Sequence, residues 1–190
     1  MTDEAKRGSA DSLTEAVWQL TLQWYAADGV QPACLALQDR HGIGVSALFA
    51  LAGAAALGAP TLTTHAMDRA LDRAERWQHQ VIEPLRQARR AIRQAAPEEP
   101  TLNTEAEALR KALLQREIAA ERLQQALVVG DCLHSTTEPG VNSTLDAEAA
   151  IATARIYIAR YVSRLSSDDQ RYLEAIMAPL TLGTMIDPRR

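Results

Sequence analysis

The chain has 190 residues, of which 47% are apolar and 23% charged, and its formal net charge is −4. This length and composition exclude a disordered chain and predict a globular protein that buries its own core. The acidic balance argues against nucleic acid as a partner, because phosphate binding needs a concentrated positive face.

The first predicted elements follow a polar stretch. Residues 1–11 are expected to be a disordered tail. A helix over about 12–27 carries apolar side chains at helical spacing, and a short helix over about 32–41 ends at Gly42. The run 45–57 is apolar on all sides, so it must be covered on all sides. This run is predicted to be a buried central helix.

Two long amphipathic helices come next, over about 65–95 and 104–129. Their apolar residues recur at three- and four-residue intervals, and Pro84 is expected to kink the first of them. The short turn between them predicts an antiparallel hairpin. Two more helices are predicted over about 143–165 and 167–180.

These elements predict an all-α fold with no strand. We expect a single-domain bundle of about six helices, spanning 12–180, around the buried central helix at about 45–57. Residues 181–190 are expected to be a loose tail.

A dense polar cluster at the end of the second helix is the first candidate site. Gln38, Asp39, Arg40 and His41 are consecutive and precede a glycine. These side chains are candidate ligand-binding residues, and an aspartate and a histidine near a substrate can transfer protons. The alternative is structural, since the inward-facing side chains can instead bridge helices through hydrogen bonds. No catalytic residue is assigned.

A basic run on the first long helix is the second candidate site. It consists of Arg86, Arg89, Arg90 and Arg93. A basic helical face can bind an acidic partner, so these residues are a candidate interaction surface. The alternative is a solvated helix end, where arginines complement the helix dipole and Glu98 and Glu99 offer charge partners.

Cysteine and histidine residues do not indicate a metal site. Cys34, His41, Cys132 and His134 are residue types that suit zinc, but their spacing matches no usual zinc motif. No metal and no cofactor are predicted. Two cysteines are also too few for a disulfide framework.

The expected location is the cytoplasm. Residues 1–11 are polar and do not form a secretory signal. The longest apolar run, 45–57, is shorter than the ~20 residues that span a bilayer, so no membrane span is predicted.

The sequence contains three further motifs, which are Trp18-x5-Trp24-Tyr25-x3-Gly29-Val30-x2-Ala33-Cys34-Leu35-x-Leu37-Gln38-Asp39-x2-Gly42, Arg73-Ala74-x2-Trp77-x3-Val81-x2-Pro84-Leu85-Arg86-x2-Arg89-Arg90 and Glu117-x3-Glu121-Arg122-x-Gln124. These motifs resemble those of a family of short all-helical bacterial proteins of unknown function. The chain departs from that family at Gly44, Ser46 and Gly53, where the resemblance implies an acid, an asparagine and a tryptophan. The resemblance implies a cytoplasmic all-α protein and no established activity.

Two functions are compatible with these features. The favoured one is a non-enzymatic protein-interaction or adaptor module that works through the long hairpin. Its partner is expected to be a protein, and a homodimer is the commonest assembly of such chains. The alternative is a small-molecule-binding protein or an enzyme with a pocket near Gln38–His41.

Overall fold

The computed structural model describes residues 3–60, 62–134, 144–185 and 187–188. Every regular element in these ranges is helical. The α-helices are α1 (Asp3–Ala26), α2 (Val30–His41), α3 (Val45–Ala56), α4 (Thr64–Trp77), α5 (Glu83–Gln94), α6 (Pro100–His134), α7 (Ala147–Ile158) and α8 (Ser167–Thr181). A π-helical segment, Gln78–Ile82, joins α4 to α5 in one continuous helix. The predicted all-α helical bundle is confirmed.

The predicted central helix is also confirmed, and it is α3. All ten residues from Ala47 to Ala56 are buried. Helices α1, α6 and α7 each pack on it. A side chain at Gly53 would lie 3.4 Å from Val17 Cγ1, so this glycine lets α1 approach closely. An apolar helix with no polar face is stable only when neighbours cover it in this way.

Aromatic side chains join α1 and α8 to the central helix. Trp24 is fully buried, and its ring lies 4.9 Å from that of Phe49, measured between centroids. The Trp24 indole N–H donates to the backbone carbonyl of Ile176 in α8. The apolar ring is thus buried while its one polar group keeps a partner.

Helix ends follow the local chemistry of the chain. Gly42 ends α2 in the left-handed conformation, with φ 68°, and its N–H donates to the Gln38 carbonyl. Asp146 caps α7 by accepting from the Ala149 N–H at 2.9 Å. Helix α6 begins at Pro100, four residues before the predicted start, because the Glu99 carboxylate accepts from the first free N–H groups.

Helix α1 takes in residues 3–11, which the sequence assigned to the tail. The division into a tail, a domain over 12–180 and a second tail stays a prediction. In the described ranges, no helix is both long and apolar enough to cross a membrane.

Candidate functional site

The polar cluster Gln38–His41 forms the last turn of α2, beside the start of α8. Gln38 is half-buried and Asp39 is exposed. Arg40 and His41 both point to Asp169, with Arg40 Nε and His41 Nε2 lying 3.0 and 2.9 Å from Asp169 Oδ1. Two of the four candidate residues therefore bind one carboxylate of the chain itself.

Asp169 belongs to the cap of α8 and is only 2% exposed. Its Oδ2 accepts from the Ser166 hydroxyl at 2.6 Å and from the Ser166 backbone N–H at 2.9 Å. The Ser166 hydroxyl oxygen accepts in turn from the Asp169 N–H, which completes a capping box. Helix α8 thus begins where α2 ends, and Asp169 joins them.

The hydrogen bond from the Ser166 hydroxyl lowers the pKa of Asp169. Burial opposes this effect, while the His41 hydrogen bond and the Arg40 charge add to it. Both carboxylate oxygens of Asp169 therefore accept hydrogen bonds, and these bonds stabilise its charged form. Sequence reasoning missed it, although the Ser-x-x-Asp spacing at 166–169 is the signal of an N-terminal cap. A ligand site at Gln38–His41 stays a prediction.

The basic run on α5 divides into two pairs. Arg86 and Arg89 point to α6, where their Nε atoms lie 2.8 and 2.7 Å from the two oxygens of Glu117. Arg86 also pairs with Glu121. Arg90 and Arg93 are exposed and take part in none of the ion pairs found in the described part of the chain. Two of the four predicted interaction residues thus connect the hairpin, and two face outward.

The two carboxyl groups of this cluster have opposite pKa shifts. Burial acts against the charge of Glu117, but the hydrogen bonds from Arg89 and Arg86 outweigh it and lower its pKa. Burial raises the pKa of Glu121, and Arg86 only partly offsets this. Glu117 is accordingly the charge that holds both arginines.

The hairpin arm, which we define as α5, the turn after it and residues 100–116 of α6, differs from the rest of the molecule. None of residues 83–116 is buried. The main packing of α5 is on α6 and on the adjoining π segment. We call the remaining helical part the body. The arm is a two-helix projection whose base is the Arg86–Glu117 cluster.

Polar contacts fix the hairpin just below this cluster. The Trp77 indole N–H donates to the Ala120 carbonyl at 2.9 Å, and the Gln124 amide donates to the Ala74 carbonyl at 2.8 Å. The π segment follows Trp77 directly and precedes Pro84. A π turn changes the helical phase by part of a turn, and such turns occur often at functional sites.

A cavity of about 700 Å³ lies between α7 and α8. Its wall is mostly apolar, with Arg155, Gln170, Glu174 and Thr181 as the polar members. The apolar wall residues are Ile151, Leu165, Leu173, Met177, Ala178 and Leu182. None of Gln38–His41 is among them, although Gln170 directly follows Asp169. The volume falls in the range of small-molecule sites.

The cysteines are buried and free. Burial raises the pKa of both Cys34 and Cys132 to about 12, so both are protonated thiols that act as small apolar groups. The side chain of His134 lies outside the described residues. Among the described side chains, no three histidine, cysteine, aspartate or glutamate residues are grouped as a metal ion would need.

Comparison with known proteins identifies one family. No curated protein and no solved structure matches the chain. A family model described as "protein of unknown function (DUF2390)" matches residues 16–128, which are more than half of the chain. The match covers the central helix and the whole hairpin arm, and it ends before α7 and α8. The chain therefore belongs to the DUF2390 family of proteins of unknown function.

Proposed function

We propose that this protein is a non-enzymatic protein-interaction module and that the hairpin arm is its binding surface. The observation that carries the proposal is the absence of any buried residue over 83–116, in a described chain whose body has a dense apolar core. A helical projection of this kind adds no core of its own. Its large exposed surface is available to a second protein.

Exposed apolar side chains on the arm support this proposal. Leu102 and Leu109 are 51% and 55% exposed, and Leu123 at the arm's base is 55% exposed. Leu102 and Leu123 are 21 residues apart in one helix, which is about 32 Å along its axis, so these leucines lie along one extended surface. Isolated exposed leucines are ordinary, but leucines aligned on a projecting helix favour a binding surface.

The ion pairs at the base support a rigid arm. Glu117 is held by two arginines of α5, and its side chain is only 7% exposed. A surface that is already ordered binds with a smaller loss of conformational entropy. Arg90 and Arg93 add positive charge to the outer face of α5, where exposed charges speed association with an acidic partner.

The proposal includes a bacterial cytoplasmic location. Two buried free thiols, Cys34 and Cys132, suit a reducing compartment. Cell fractionation that recovered the protein in the periplasm or membrane would contradict this part.

Affinity capture with matched variants tests the arm. The arm variant carries Leu102→Gln and Leu109→Gln, and the control carries Leu35→Gln and Ile156→Gln on α2 and α7. Leu35 and Ile156 are 45% and 48% exposed, which is close to the exposure of the two arm leucines. We expect proteins captured by the wild type and by the control to be lost with the arm variant.

Circular dichroism melting of all three proteins checks that the folds are equal. Equal capture by the arm variant would contradict the proposal, and so would a wild type that recovers neither another protein nor a second copy of the chain above background. In the second case the arm would have no partner under native conditions.

The cavity between α7 and α8 favours a second candidate function, small-molecule binding. Its wall is predominantly apolar, and a single arginine and a single glutamate balance its charge. These features fit a mainly apolar ligand. The cavity lies outside the range that the family model matches.

Fluorescence titration with N-phenyl-1-naphthylamine tests the cavity. We expect saturable binding by the wild type and at least tenfold weaker binding by Leu182→Glu, which puts a charge at an exposed position of the wall. Leu22→Glu on α1 is the control, since this leucine is 46% exposed and lies away from the cavity. Equal binding by the three proteins would exclude the cavity as the site.

A further inference from the structure

A stripe on α6 has the spacing of a coiled-coil seam. Its seven members recur at intervals of three and four residues, and every one of them is exposed. They are Leu102, Glu105, Leu109, Ala112, Arg116, Ala119 and Leu123. We call them the outer stripe. Positions at this spacing are the a and d positions of a heptad, which face a partner helix.

The outer stripe is not the face by which α6 packs in its own chain. That inner face includes Glu117, Ala120 and Gln124, which are buried and contact α4 and α5. Helix α6 thus has one covered seam and one uncovered seam. The uncovered one has leucine at three of its four a positions.

We propose that the outer stripe binds the outer stripe of a second copy of this chain, with the two α6 helices antiparallel. This inference rests on the proposed function, because it names the partner of the hairpin arm. In antiparallel coiled coils each a position faces a d position, and the order of residues in the stripe then selects one register.

Charge complementarity selects that register. When Leu109 faces Ala112 of the second copy, Glu105 faces Arg116 of the second copy, and the twofold axis repeats both contacts. Two opposite-charge pairs then flank the leucine–alanine centre. A shift by one heptad in either direction would place Glu105 against a leucine, Leu109 or Leu123, and would break both Glu105–Arg116 pairs.

A parallel pairing is disfavoured by the same charges. In a parallel dimer each residue faces its own equivalent, so Glu105 would meet Glu105 and Arg116 would meet Arg116. Like charges facing each other destabilise an interface. The stripe is therefore self-complementary in the antiparallel direction alone.

The ion pairs that α6 forms within one chain agree with the inference. Glu107 pairs with Arg110, Arg122 pairs with Glu15, and Glu117 pairs with the arginines of α5. Among the ion pairs of the described chain, neither Glu105 nor Arg116 takes part. The two stripe charges are left for an external partner.

The sizes of the apolar residues also agree. In the proposed register Leu109 faces Ala112 and Leu102 faces Ala119, so each of these apolar layers combines a large side chain with a small one. Leu123 lies beyond the paired part of the stripe. Alternating sizes let facing surfaces interdigitate. The contact is confined to one pair of helices, at the low end of specific interface sizes, so we expect a reversible dimer.

Sedimentation equilibrium of the full chain tests the inference through charge reversal. We expect the wild type to associate to a dimer with rising concentration. Glu105→Arg and Arg116→Glu, each alone, should weaken the association constant about tenfold or more, since each creates two like-charge pairs. An equimolar mixture of the two variants should dimerise as the wild type does, because both layers are then complementary.

Lys111→Glu is the control, an exposed charge reversal on α6 outside the outer stripe, and it should leave association unchanged. Circular dichroism of each variant tests its fold, and the mixture does so independently, since only folded arms can restore pairing. A wild type that stays monomeric throughout would overturn the inference. Unchanged dimerisation of the single variants, or no recovery in the mixture, would do the same.

Failure of the dimer is distinguishable from failure of the arm as a binding surface. If the wild type is monomeric and the arm still captures a different protein, the proposed function stands without the dimer. If the chain neither dimerises nor captures a protein through Leu102 and Leu109, both proposals are wrong.

Discussion

The body and the hairpin arm are stabilised by different interactions. The body surrounds α3, whose residues from Ala47 onward are all buried. The arm buries no residue between 83 and 116 and is fixed at its base by arginines on Glu117. Apolar burial scales with the area removed from water, whereas a partly exposed ion pair adds little free energy. The buried apolar core therefore lies in the body, and the arm is a surface attached to it.

Truncation of a core residue should give the largest effect. Trp24→Ala removes a fully buried ring from between α1, α3 and α8. We expect the free energy of unfolding to fall by about 3–5 kcal/mol, measured by urea denaturation. The matched arm change, Ile92→Ala, removes a half-buried side chain and should cost about 1–2 kcal/mol. Equal losses would mean that the arm has a core of its own.

The second-largest loss of stability is expected at the base of the arm. Glu117→Gln keeps the shape of the side chain and removes the charge that pairs with Arg86 and Arg89. We expect a loss of about 1–3 kcal/mol, since both arginines are partly exposed to water. Hydrogen exchange should quicken in the arm and stay unchanged in α3.

Glu107→Gln is the control for this change. Glu107 pairs with Arg110 on the exposed side of α6, with 42% of its side chain exposed. Its loss should leave the free energy of unfolding nearly unchanged, because water and salt screen an exposed ion pair. Faster exchange throughout the molecule in Glu117→Gln would show that the arm and body unfold together.

Acid should weaken the ionic contacts that Asp169 of α8 makes with Arg40 and His41 of α2. The pKa of Asp169 is lowered from its usual 3.8, so its contribution is complete above about pH 4 and is lost as the pH falls below that. Asp169→Asn should cost about 1–2 kcal/mol at pH 7, and this difference from wild type should shrink toward pH 2. Urea denaturation at several pH values measures it. A constant difference would contradict the role of the carboxylate.

The smallest effect is expected at the exposed arginines of α5, Arg90 and Arg93. Arg90→Gln removes an exposed charge that forms no ion pair with the described residues. Stability should stay within about 0.5 kcal/mol of wild type in thermal or urea unfolding. A larger loss would show that Arg90 supports the fold rather than the surface.

Much of the body could be predicted from the sequence. The apolar run that predicted a helix over about 45–57 forms α3 over Val45–Ala56, because a continuous apolar run is stable only in the interior. Gly42 ends α2 as predicted, since its positive φ is accessible mainly to glycine. Periodicity and local backbone preference suffice for features of this kind.

The candidate sites could not be predicted in full, because they depend on contacts between residues that are far apart in the sequence. Arg86 and Arg90 look alike in the sequence, and only the pairing of α5 with α6 shows that Arg86 meets Glu117, 31 residues away. His41 and Asp169 are 128 residues apart. The π segment could not be predicted from Pro84 alone, because a proline predicts a disturbed helix without specifying its geometry. Tertiary register decides which charges stay exposed.

Site-specific photo-cross-linking in living cells tests the central claim most directly. A photoreactive amino acid at Leu109, which is 55% exposed, reports on the arm, and the same group at Leu35, which is 45% exposed, reports on the body. We predict protein adducts at Leu109, of the chain's own mass if the dimer forms, and none above background at Leu35. Adducts at Leu35 alone, or at neither position, would contradict the arm as the binding surface.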